Sequence, residues 1–136
     1  SNGLGMQYNP GGHFVRFVKQ LLAVSGSDRV LPTGQHIVFV HKDGGGRGPG
    51  PPNFLAVAEL TRTRFRGAAR VSVVRPPEMT FKEQFDMARS ATVVVTPCGG
   101  ISFFAAFMSP STTRVIIDYW DFRHNSSTKN DPYIWQ

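Results

Sequence analysis

Thr92-Val93-Val94-Val95-Thr96-Pro97-Cys98-Gly99-Gly100-Ile101-Ser102-Phe103-Phe104-Ala105-Ala106-Phe107-Met108 is the stretch that decides how this chain folds. Its β-branched opening reads as a buried strand, its small-residue centre as a turn, and its apolar end as a helix buried nearly all round. Two adjacent glycines remove side chains where backbone must turn tightly or come close to something. Backbone N–H groups at a helix start, with the positive end of the dipole, favour an anion. Two readings of the turn follow: a phosphate-sized anion site, or a tight corner that lets helix pack on sheet.

The same strand–turn–helix unit recurs on either side. Upstream, Ile37-Val38-Phe39-Val40 is a short continuous apolar run, as in a strand covered on both faces. It enters the glycine- and proline-rich loop His41-Lys42-Asp43-Gly44-Gly45-Gly46-Arg47-Gly48-Pro49-Gly50-Pro51-Pro52. Loops at the carboxyl ends of parallel strands are where open α/β sheets bind ligands, and this one carries His41, Lys42 and Arg47; a solubilising surface loop is the alternative. Asn53 is placed to cap a helix through Phe54, Val57, Ala58 and Leu60, with Arg62 and Arg64 near its end as ordinary solvated cations. Val71-Ser72-Val73-Val74 is a second strand, closed by Pro76-Pro77, with Glu78 just beyond it.

Thr80-Phe81-Lys82-Glu83 has the spacing of a capping box, followed by Phe81, Phe85 and Ala88 on one helical face. Arg114-Val115-Ile116-Ile117-Asp118-Tyr119 is the fourth strand. Before all of these, Phe14, Phe17, Val18, Leu21 and Leu22 mark an amphipathic helix that ends near Ser25-Gly26. Strands alternating with helices predict an α/β, Rossmann-like parallel sheet with helices on both faces. Three strand ends then bring basic, acidic and glycine-rich groups to one sheet edge, which favours the anion-site reading of the turn.

Composition sets the outer limits. The 136 residues suit one domain, and 40% hydrophobic with 18% charged residues is globular rather than disordered. Fifteen Lys+Arg against nine Asp+Glu give a formal charge of +6, favouring anionic partners. The basic residues are scattered, without the block that marks a nucleic-acid arm, so no nucleic-acid partner is expected. One cysteine, Cys98, excludes an internal disulfide framework and a multi-cysteine zinc site. Beside no histidine, it reads as a small corner residue rather than a nucleophile. His13, His36 and His124 lack metal spacing and read as surface or loop residues. Asn125-Ser126-Ser127 is an N-glycosylation sequon at Asn125, relevant in a secretory protein.

The run Glu78-x-x-Phe81-x-Glu83-Gln84, then a strand, a small-residue turn, a helix and a closing strand, resembles the donor-binding half of family-61 glycosyltransferases over roughly residues 14–121. That resemblance implies one lobe of a GT-B fold and inverting transfer from a nucleotide-sugar, a UDP-sugar, to a glycan or glycoprotein hydroxyl, with no metal or other cofactor. It implies that Lys42, Arg47, Gly99 and Gly100 hold the pyrophosphate, with the amides through Ile101 and Ser102 adding dipoles. Glu78 is a candidate for a ribose or sugar hydroxyl, or is simply solvated. The family reads His-Gly-Ala-Gly at the turn where this chain has Pro97-Cys98-Gly99-Gly100, so the histidine's contact is absent or is supplied by His41.

The expected organisation is an N-terminal loop over 1–13, the nucleotide-sugar-binding domain over 14–121 and a polar tail over 122–136. By the same resemblance, an acceptor lobe and a membrane anchor precede residue 1 in a larger parent of the Golgi or ER lumen. The catalytic base is not identified. A non-catalytic nucleotide- or nucleic-acid-binding module, or a degenerate transferase scaffold, is the alternative function.

Overall fold

The computed structural model describes residues 12–43, 50–97, 99–110, 112–117, 120–121 and 126–127. Helix α1 (Gly12–Ser25) leads into β1 (His36–Val40), α2 (Phe54–Arg64), β2 (Arg70–Val74), α3 (Phe81–Ser90) and β3 (Val93–Pro97). A 3-10 helix over Gly100–Phe107 and β4 (Thr113–Ile117) follow, and a two-residue ladder joins β5 (Trp120–Asp121) to β6 (Ser126–Ser127). The fold is Rossmann-like α/β: β1 to β4 form one sheet in the order β2-β1-β3-β4, and every pairing in it is parallel. The Ser126–Ser127 strand lies within the stretch expected to be tail.

Alternation along the strands divides the core into two layers, because successive side chains point to opposite faces. Val38, Val40, Val74 and Val94 face one side, where Val18 and Leu22 of α1, Phe85 and Ala88 of α3, and Phe104 and Phe107 of the 3-10 helix cover them. Phe39 and Val95 face the other, under Phe54 and Ala58 of α2. Helices therefore lie on both faces, as the alternating sequence predicts. Gly26, at φ 73°, ends α1 in the left-handed conformation that glycine adopts at low cost, and its N–H donates to Ala23 O at 3.1 Å.

The capping box on α3 forms as read: the Glu83 N–H donates to Thr80 Oγ1 and the Thr80 N–H donates to Glu83 Oε2 at 2.7 Å. Asn53 does precede α2, but its side chain makes no capping hydrogen bond; its backbone sits at φ −103°, ψ 14°, away from the extended geometry a side-chain cap adopts.

Several apolar faces are only partly covered. Phe14, Phe17, Val57 and Leu60 are exposed, and Phe81 is 77% exposed although its ring stacks on Phe85. The helix expected over 101–108 is 3-10 in geometry and not buried all round, since Phe103 is 42% exposed and meets Phe14 edge-on.

Candidate functional site

The strand order creates the site. β1 pairs with β2 on one side and β3 on the other, so the connections leaving β1 and β3 depart in opposite directions. A crevice opens between their carboxyl ends, which is where doubly wound sheets place ligands. The two loops singled out in the sequence are the ones that flank it. The first loop closes on itself, Gly50 N–H donating to Lys42 O at 3.3 Å, and it runs close to the end of β3: a Cβ on Gly50 would lie 3.4 Å from Pro97 Cγ.

An open cleft of about 550 Å³ lies at this carboxyl edge, reaching from the end of β1 toward the end of β2 and α3, within the roughly 300–1,000 Å³ of small-molecule sites. His41, Lys42 and Asp43 line one part of it, from the end of β1. Pro76, Pro77 and Ile101 supply apolar wall, and Gln84 of α3 completes the lining. His41 is held by its backbone, whose N–H donates to Val74 O at 2.8 Å and so extends the β1–β2 ladder, and its ring packs by Phe54. Its Nδ1 lies 2.8 Å from Asp43 Oδ1, within ion-pair distance but out of line for a hydrogen bond.

Charge at the rim is balanced rather than simply positive. Arg75, just past β2, lies 3.5 Å from Asp43 Oδ2 and 3.6 Å from Glu78 Oε1. These groups are well exposed, so the pairs contribute little stability; their effect is to offset the Arg75 charge. Lys42 pairs with no carboxylate among the described residues. Across the crevice, Gly99 sits at φ 99°, ψ −166°, a conformation essentially confined to glycine, and Gly100 begins the 3-10 helix. That glycine is therefore required by backbone geometry whichever reading of the turn holds. The first amides of such a helix have no partner within it.

The cleft thus gathers His41, Lys42 and Ile101 of the predicted residues, while Glu78 joins the rim through Arg75 rather than the wall. Gly99, Gly100 and Ser102 lie on the turn and the 3-10 helix that follow β3. Arg47, Cys98 and Asn125 fall outside the described residues. Asp43, Arg75, Pro76, Pro77 and Gln84 were not predicted as site residues. Asp43, Arg75 and the prolines were findable as groups at the ends of β1 and β2. Gln84 stands in the run Glu78-x-x-Phe81-x-Glu83-Gln84 but was not read as a site residue, because nothing in the order of residues says that the start of α3 reaches the cleft.

His36 corrects a second expectation. Far from being a surface residue, it is 2% exposed at the opposite, amino-terminal end of the sheet. Arg70 Nη2 lies 2.9 Å from its Nδ1, and a guanidinium can only donate, so Nδ1 accepts. The proton then sits on Nε2, which donates to Ser72 Oγ at 2.9 Å. Burial first, and then the Arg70 charge, hold its pKa below the ordinary value. Among the described residues, no group of three His, Cys, Asp or Glu side chains could hold a metal ion.

No family model, curated protein or solved structure matches this chain. The likeness to family-61 glycosyltransferases rests on the motif residues alone.

Proposed function

We propose that this domain binds the nucleotide-sugar donor of an inverting glycosyltransferase, with the diphosphate at the crevice between β1 and β3. One observation carries the reading: the crevice at the point where the strand order reverses is flanked by the Lys42 loop and the Gly99-Gly100 turn, the two segments whose composition suits a phosphate. In sugar transfer the bond from the anomeric carbon to the diphosphate oxygen breaks as the acceptor oxygen attacks from the opposite face. Negative charge grows on the leaving diphosphate, and preorganised cations and amide dipoles stabilise it most where charge develops. Lys42, Arg47 and the Gly99–Ser102 amides fill that role in this reading. Glu78 and Asp43 are suited to accept from ribose or sugar hydroxyls, which the balanced rim favours over a purely cationic one. The acceptor side belongs to the expected upstream lobe.

Calorimetric titration with UDP tests this. The chain is expected to bind UDP saturably, and Lys42→Ala and Arg47→Ala are each expected to weaken it about tenfold, the equivalent of about 1.4 kcal/mol. Undetectable UDP binding, or affinity unchanged in both variants, contradicts the assignment. Binding of short RNA with a steep salt dependence would favour the nucleic-acid module instead.

A further inference from the structure

Five phenylalanine rings run across the sheet face that α1, α3 and the 3-10 helix cover. Phe81 stacks on Phe85, Phe85 meets Phe107 at 4.4 Å between ring centres, Phe107 meets Phe103 at 5.7 Å, and Phe103 meets Phe14 at 5.5 Å. Phe85 and Phe107 are buried, whereas Phe14, Phe103 and Phe81 are 38%, 42% and 77% exposed, and Phe17, one turn along α1 from Phe14, is 50% exposed. The exposed rings share one end of the molecule. α3 and the 3-10 helix leave the carboxyl ends of β2 and β3, so Phe81 and Phe103 stand in turns at that edge. α1 ends at the opposite edge, where Arg89 in the last turn of α3 donates to Asp28 O, so its start lies toward the carboxyl edge, where Phe14 meets Phe103. The cleft opens at the same edge, and its wall residues Gln84 and Ile101 belong to the same two elements as Phe81 and Phe103.

The charges around this aromatic band are one-sided. α1 carries Arg16 and Lys19 and no carboxylate, and the 3-10 helix has no charged residue. On α3, Lys82 pairs with Asp86, and the Glu83 carboxylate is taken up by the cap. Arg16 and Lys19 are exposed and pair with no carboxylate among the described residues. Aromatic surface edged by unpaired cations suits an anionic lipid surface, which takes rings below its headgroups and cations at its phosphates. We propose that this edge of the domain docks on a membrane containing acidic phospholipids. Phe14, Phe17, Phe81 and Phe103 enter the boundary between headgroups and acyl chains, Arg16 and Lys19 meet the phosphates, and the cleft opens against the lipid surface. A second copy of the chain is the poorer occupant: a two-fold contact sets a patch against itself, so Arg16 and Lys19 would face their own images on a chain of formal charge +6. The proposal does not depend on what the cleft binds.

Co-sedimentation tests it, with vesicles of phosphatidylcholine and phosphatidylserine in equal parts and with vesicles of phosphatidylcholine alone. The chain is expected to bind the mixed vesicles about tenfold more tightly, and to be released from them as salt is raised. Phe17→Ser/Phe81→Ser is expected to weaken that binding about tenfold. Arg16→Glu/Lys19→Glu should bring it down to the level seen on phosphatidylcholine alone. Leu60→Ser, which changes an exposed apolar residue of α2 across the sheet, should leave it as it was. Equal affinity of the wild-type chain for the two kinds of vesicle, or binding to neither, overturns the proposal without any variant. Binding that survives in Phe17→Ser/Phe81→Ser also overturns it, since the cations alone then hold the lipid. So does a wild-type dimer in sedimentation velocity that dissociates in the same variant, since the band is then a contact between copies. Each of these results leaves the UDP titration to stand or fall by itself.

Discussion

His36 illustrates how one buried polar side chain is kept and what it costs. Its ring is neutral because burial and Arg70 both oppose the charged form. Its pKa is lower folded than unfolded, so over the window from the folded value up to about 6.5 the unfolded chain binds more protons. Stability therefore rises with pH through that window and is lost as the pH falls below about 6.5. Urea unfolding at a series of pH values should show this slope, and His36→Gln should flatten it. Replacing His36 with alanine should cost about 2–4 kcal/mol, from the void and from leaving Arg70 and Ser72 without their ring partner. None of this was legible in the sequence, because Arg70, Ser72 and Ser90, whose Oγ lies 3.2 Å from His36 Nδ1, are 34, 36 and 54 positions away. A lone histidine before an apolar run looks the same whether it is solvated or clamped. By contrast, the Thr80–Glu83 capping box was legible, since both partners lie within one helical turn.

At the scale of elements, the four strands of the parallel sheet were read nearly to their ends from their β-branched residues, most clearly in β1 and β3, whose apolar runs are the most buried. The helices were found but their exposed sides were misjudged. Periodicity marks where apolar residues lie on a helix, and only the neighbouring elements determine how wide an arc is covered; hence Phe81 and Leu60 face solvent while Phe85 and Ala88 are buried. Phe85→Ala should accordingly cost about 3–5 kcal/mol in denaturant unfolding, and Phe81→Ala much less. Thr80→Ala should cost about 1 kcal/mol through loss of the cap. Gly99→Ala should cost about 1–3 kcal/mol, because φ 99° with ψ −166° strains any residue with a Cβ. A loss of UDP affinity in that variant beyond the stability change would tie the turn to the ligand.

For the whole molecule, topology does what no single motif could. The order β2-β1-β3-β4 turns two segments more than 40 residues apart, at Lys42 and at Gly99, into the two sides of one crevice. Alternating helices and strands made the parallel sheet legible, and the rule about strand ends pointed to the carboxyl edge, where the cleft opens. The order of the strands, and with it the meeting of Gly50 with Pro97, depends on long-range pairing that local patterns do not encode. The central claim is that this crevice holds a nucleoside diphosphate. Amide chemical shifts followed by NMR during titration with UDP test it most directly. Saturable shifts are predicted at 41–43, 78, 84 and 99–102, with His36, Arg70 and Ser90 at the far end of the sheet unmoved. No saturable shift, or shifts gathered around His36, would contradict it.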